Sequence, residues 1–266
     1  DERKHIGKTD FLGGFLLAGT VSLLLLGITK GNLLLLIACL VSLFLFIFWI
    51  HRAKEPFIQP SLFRNRKYVF GLGLVFLTTS LTFALPFTTP QFLAKVNNLS
   101  PGYIGLVMSP AALTAALMSR KGGHLADKRG NNLLVYIAAS LIFTCYFLLS
   151  SFMGVSPIFI TFILILGNVG QTFMSVAMSN TISRTLDRSH IGIGMGLLSM
   201  LNFISGATAT SLIGKILDYG NVEFHLNPLS ANSTAFIYSN IFFIFAFLII
   251  VVAFLYTKNF GSLQQK

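Results

Sequence analysis

The chain has 266 residues, of which 54% are hydrophobic and only 10% charged, with a mean hydropathy of +0.78 and a net charge of +11. Globular chains carry roughly a quarter charged residues, so a soluble enzyme, a disordered chain and a disulfide-stapled secreted domain are all excluded. The class that fits is an all-α polytopic membrane protein.

The polar opening Asp1–Asp10 offers no signal peptide, and without an initial Met the chain reads as a piece of something longer. A bilayer core of about 30 Å takes about 20 apolar residues per helix. Eight stretches qualify in order: Phe11–Thr29, Asn32–Ile50, Tyr68–Leu93, Pro101–Met118, Asn132–Phe152, Pro157–Ser179, Gly192–Leu217 and Ala235–Tyr256. Runs this long leave no alternation for a barrel, so they are helices. The fourth is short and rich in Ala and Gly, but Ser100-Pro101 marks its start with an N-cap and a first-turn proline. Cys39 and Cys145 sit inside apolar runs as small hydrophobes, and the five histidines are scattered, so neither a disulfide, a metal site nor a cofactor is expected.

Between the second and third spans lies a basic connection, 52–67, with Phe57, Ile58, Leu62 and Phe63 as its apolar members. It reads as an interfacial segment lying on one leaflet. Alternate connections, counted with the two termini, hold 16 of the 19 Lys and Arg; the other side holds Lys30, Lys95 and Lys215. That asymmetry puts both termini in the cytoplasm, as an even number of spans requires. The positive charge is thus a topology and lipid-surface signal, and no nucleic-acid partner is expected.

The connection after the fourth span carries Gly123-His-Leu-Ala-Asp-Lys-Arg-Gly130. Gly123 suits a close approach of two helix ends and Gly130 a turn. Asp127, a lone acid among Arg120, Lys121, Lys128 and Arg129, is expected to pair locally and to accept from a helix N-terminus. An ordinary positive-inside loop is the alternative. The spacing resembles the loop signature of the major facilitator superfamily, Gly-x-Leu-Ala-Asp-Lys/Arg-x-Gly, in its second copy, matching at Gly123, Leu125, Ala126, Asp127, Lys128 and Gly130. It departs from the family at Asn131 and Asn132, where bases are usual. Asp10–Phe15, Glu55-Pro56…Leu62–Arg66 and Gly192…Gly196…Asn202…Gly206 look like the 14-span drug:proton antiporter branch.

The resemblance implies two linker helices in 1–51, the cytoplasmic connection 52–67, a complete six-helix C-terminal half in 68–257 and a cytoplasmic tail in 258–266. An N-terminal six-helix half would be missing. It further implies a proton-driven exporter in the cell membrane, moving amphipathic, often cationic drugs or tetracyclines by alternating access. In such a half the first, second, fourth and fifth helices line the cavity, and polar residues follow that order here: Thr78, Thr79 and Thr82, then Asn168, Gln171, Thr172 and Ser175, then Asn202. Thr79, Asn168, Gln171 and Asn202, with Phe83 and Phe87 as aromatic faces, are the candidate cavity residues. Gly123, Asp127, Lys128, Arg129 and Gly130 are the candidate conformational switch. Each Ser or Thr also fits plain helix packing. None of the eight acids lies in mid-span, so the proton-coupling carboxylate is expected outside this chain. A non-transporting scaffold or assembly subunit, and a small-solute importer on the same fold, stay open.

Overall fold

The structure, a computed structural model, describes residues 10–53, 56, 58–220, 222–230 and 232–261. Among the described residues are eight helices long and apolar enough to cross a membrane, and no strand. The chain is a multi-pass membrane protein.

Helices α1 (Phe11–Lys30) and α2 (Leu33–Arg52) form a hairpin. The Asp10 carboxylate caps α1 by accepting from the Gly13 N–H at 2.8 Å, and it also accepts from Trp49 Nε1 at 2.9 Å, which ties the open end of the hairpin. Gly31, at φ 60°, makes the turn that a side chain would strain. The 52–67 connection also makes contacts with the helices. Ile58 is buried against Phe46 and Ile50, and Leu62, within a 3-10 turn at Pro60–Arg64, joins the main core. Apolar residues four apart can face lipid or protein, and here the bundle took them. Phe63 stays exposed; Lys54, Glu55 and Phe57 lie outside the described residues, as do 1–9 and 262–266.

Six further helices follow: α3 (Arg66–Lys95), α4 (Pro101–Arg129), α5 (Asn131–Ser151), α6 (Pro157–Arg184), α7 (Ile191–Leu217) and α8 (Phe236–Phe260). Several outrun the expected spans. The six-helix unit starts at Arg66, and α8 takes in Lys258–Phe260, which the sequence assigned to a tail. The largest difference is α4, which continues eleven residues past Met118, through the whole charged stretch to Arg129. Lys, Arg, Leu and Ala are good helix formers, and nothing stops α4 before Gly130.

The six helices pack as two interlocked triplets. α4 lies on α6 as α7 lies on α3, α5 meets α6 as α8 meets α3, and α5 packs on α8. Exchanging α3–α5 with α6–α8 preserves this pattern, a two-fold relation between repeats of the kind transporter folds show. The core is aromatic between α3, α5 and α8, where Phe242 stacks on Tyr146 and meets Phe92 edge-on. The 218–234 connection is drawn in: buried Asn227 donates to Ser150 Oγ at 2.9 Å and Ser151 Oγ at 3.0 Å. The hairpin docks on α7 through α1. Of the 14 described Lys and Arg, 11 lie at the end of the bundle where α1 begins, hereafter the basic end.

Candidate functional site

Helices α3, α6 and α7 face one another across two adjoining hollows, of about 170 and 400 Å³, that share Thr82, Phe83 and Ser175. Thr79 Oγ1 donates to Asn202 Oδ1 at 2.8 Å across the α3–α7 seam. Phe83 lies over Gly206, where a Cβ would sit 2.9 Å from its ring; glycine lets the aromatic face lie flat against α7. Three of the hydroxyls here satisfy themselves on their own backbone, Thr78 on the Val75 carbonyl, Thr82 on that of Thr79 and Thr172 on that of Asn168. Pro86, also in the lining, has no N–H to give the Thr82 carbonyl. Gln171 Nε2 is buried with no hydrogen bond, beside the Tyr146 hydroxyl, which donates to the Leu81 carbonyl. No charged side chain lines either hollow. Such a surface offers hydroxyls, amides and one exposed aromatic face. It suits an uncharged, hydrogen-bonding, partly aromatic guest.

Of the six candidate cavity residues, Thr79, Phe83, Gln171 and Asn202 come together. Phe87 and Asn168 do not line either hollow. Asn168 lies three residues farther from the basic end than Gln171, while Phe87, next to the lining Pro86, points about 100° away round α3. Phe87 reaches Gly214, and Asn168 donates to the Leu164 carbonyl at 3.0 Å within its own helix. Depth sets Asn168 apart and face sets Phe87 apart. Ser179 and Ser119 also line the space. Ser179 follows Ser175 by four residues, a repeat that could have found it. Ser119 gave no signal, since the sequence placed it beyond the end of the fourth span. α5 and α8 contribute nothing to the lining.

The Gly123–Gly130 stretch is the last two turns of α4, not a loop. Gly130, at φ 87°, is the whole connection to α5. Gly122 makes the close approach expected of Gly123: a Cβ there would meet Phe173 of α6 at 2.8 Å, while nothing lies within 4 Å of one at Gly123. The expected local pairing of Asp127 does not form. Asp127 is exposed, and among the described residues it makes no ion pair or hydrogen bond. No Lys or Arg stands three or four residues from it, and His124, three residues before, makes no bond to it. Instead, neutral groups fasten α5 here: Asn131 Nδ2 donates to Thr181 Oγ1 at 3.3 Å, Thr181 meets the Tyr256 hydroxyl at 2.9 Å, and Asn132 Nδ2 donates to the Gly261 carbonyl.

Asp127 does have company along its own face. Gly102, Gly105, Ser109, Ala112, Ala116 and Ser119 recur at intervals of three and four, all exposed, and lead down α4 to Asp127. Small residues at this spacing let two membrane helices approach closely, and no helix among the described residues occupies that face.

The profile described as Major Facilitator Superfamily matches residues 10–210. MdtD of Klebsiella pneumoniae, which carries a multidrug-resistance name, is 30% identical over 241 residues, 86% of this chain and 51% of that protein. The riboflavin transporter RibZ of Clostridioides difficile is 26% identical over 210 residues, 76% of this chain and 45% of that one. The multidrug resistance protein Stp of Mycobacterium tuberculosis is 24% identical over 178 residues, 65% and 32% of the two chains. The chain thus spans about half the length, or less, of these curated relatives.

Proposed function

Because the chain belongs to the major facilitator superfamily, we propose that it is the C-terminal portion of a proton-driven drug exporter of the cell membrane, with its basic end in the cytoplasm. A second six-helix half supplies the opposite wall of the cavity and the carboxylate that carries the proton. The observation that carries this reading is the uncharged, hydroxyl- and amide-lined space between α3, α6 and α7, which a lipid-facing scaffold has no use for. The small-residue face of α4 is where the other half packs, and Asp127, at the end of that face, finds its partner there. Its bond forms in one access state and breaks in the other, so Gly123–Gly130 biases the balance of states without touching the drug.

Two measurements test this in the whole protein. Asn202→Leu strands the Thr79 hydroxyl and should weaken drug binding about tenfold, while exposed Ser140→Ala on α5 should leave it unchanged. Asp127→Asn should cut the transport rate and leave binding to the solubilised protein nearly intact. Equal effects at Asn202 and Ser140, or normal transport by Asp127→Asn, would overturn the assignment.

The absence of charge around Phe83 favours a second reading of the cargo. A neutral flat heterocycle such as riboflavin fits this half better than a cation, whose charge would have to be met elsewhere. Competition between riboflavin and a cationic dye for efflux separates the two.

A further inference from the structure

The basic end of α4 carries two chemically different flanks, and only one is taken up by the proposed packing of the other half. Arg120, Lys121, His124, Lys128 and Arg129 surround a hollow of about 600 Å³, floored by Leu125 and by Phe173 of α6. No acid lines it. At about 100° per residue, Lys121, His124 and Lys128 lie about 120° around the helix from the small-residue face, and Asp127 belongs to that other face. A protein helix packed on the small residues therefore leaves the hollow open.

Depth and continuity say what fills it. A helix of 29 residues is ~43 Å long, well over the ~30 Å hydrocarbon core. Its apolar part ends at Met118, so the bases stand in the headgroup layer. On the same flank, deeper in the same leaflet, Leu113 and Leu117 are exposed by 65–66%. One continuous strip thus runs from apolar side chains at acyl-chain depth to clustered cations at phosphate depth. The side-chain stems and Phe173 give the hollow apolar walls, which a hydrated free ion would not need.

We propose that this hollow holds the headgroup of an anionic phospholipid, with its phosphate among Lys121, His124 and Lys128 and its acyl chains along Leu117 and Leu113. Basic pockets between membrane helices bind such headgroups.

The test is native mass spectrometry of the purified chain, and of the whole protein, released from bilayers containing phosphatidylglycerol and phosphatidylcholine in equal amounts. Phosphatidylglycerol should be retained selectively. Lys121→Gln with Lys128→Gln should weaken retention roughly 30-fold, at about fivefold per charge. The paired arginine substitutions should keep it, and so should Lys67→Gln with Lys258→Gln, which removes the same charge elsewhere at the basic end. Equal retention of both lipids, or equal loss in the control pair, would reduce the cluster to a general surface attraction. Displacement by glycerol phosphate at the concentration of lipid would show a site for a soluble anion, and selective retention by the chain but not by the whole protein would give the hollow to the other half. Each of these results overturns the proposal. None depends on whether drug is transported.

Discussion

The α1–α2 hairpin and the α3–α8 bundle are built from the same kind of helix, yet apolar content and burial run in opposite directions between them. α2 is the most apolar of the eight, at a mean hydropathy of 3.1 against 1.8 for α3. It nevertheless buries only Cys39, Phe46 and Ile50, while α3 buries residues along its whole length, among them Thr78, Thr88 and Thr89. In water this would be backwards. In a bilayer a leucine facing acyl chains loses nothing, so helices gather where they offer what lipid cannot, which is close backbone approach and polar contact. The bundle has both: a Cβ at Gly167 would lie 2.5 Å from Cys145 Sγ, and one at Gly170 3.0 Å from the Ala138 carbonyl. The hairpin has them only along its own seam, where Thr20 donates to Ser42 at 2.9 Å and a Cβ at Gly27 would lie 2.6 Å from Leu36; at Gly14 it would meet nothing within 4 Å.

The sharpest way to break this contrast is Gly170→Leu. Overpacking against a backbone carbonyl, which cannot step aside, should destabilise by about 3 kcal/mol or more, read as loss of monodisperse protein on gel filtration in detergent. Gly14→Leu should elute as the parent does. Next in size, Leu134→Ala at a fully buried α5 position should cost about 2–5 kcal/mol. Leu40→Ala, two-thirds exposed on α2, should change the thermal midpoint by no more than an ordinary surface substitution, about 0.5 kcal/mol. If the two leucines behave alike, lipid exposure is not what separates the regions. A smaller step is expected for Asn227→Ala. It loses two hydrogen bonds to serines, at ~0.6 kcal/mol each in membrane proteins, and should lower the midpoint slightly while speeding exchange of amides in 218–234. Smallest should be Trp49→Phe, which gives up one bond to Asp10 and keeps the ring; a shift as large as that of Leu134→Ala would mean the hairpin is fastened as tightly as the bundle.

The number of helices was legible because each apolar run is long and bounded. Their ends were not, and α4 shows why. The stretch Ser119–Arg129 is charged, and charge was read as an exit from helix, although Arg, Lys, Leu and Ala carry a helix well and only Gly130 stops it. The failed pairing of Asp127 was legible in part, since Lys128, Arg129 and Lys121 point elsewhere and Arg120, though on its face, stands two turns away. Thr79, Phe83, Gln171 and Asn202 come together around the hollows, as amides and hydroxyls in a span seek a polar interior. Asn168 shares that logic but lies three residues beyond Gln171, a depth written in no periodicity, and Phe87, beside the lining Pro86, faces away from the hollows. Ile58 and Leu62 could not have been placed from sequence, for lipid and a protein core accept the same side chains.

The interlocking of the two triplets has a consequence for synthesis. The main packing partner of α4 is neither α3 nor α5 but α6, which is complete only at Arg184, 55 residues after Arg129. At ~5–20 residues per second that interval is about 3–11 s, during which α4, with Pro110 in its midst, lacks its main partner within this six-helix unit. α3 likewise waits for α7. The first triplet therefore cannot finish itself as it emerges, and the bundle closes only when the second triplet has been delivered.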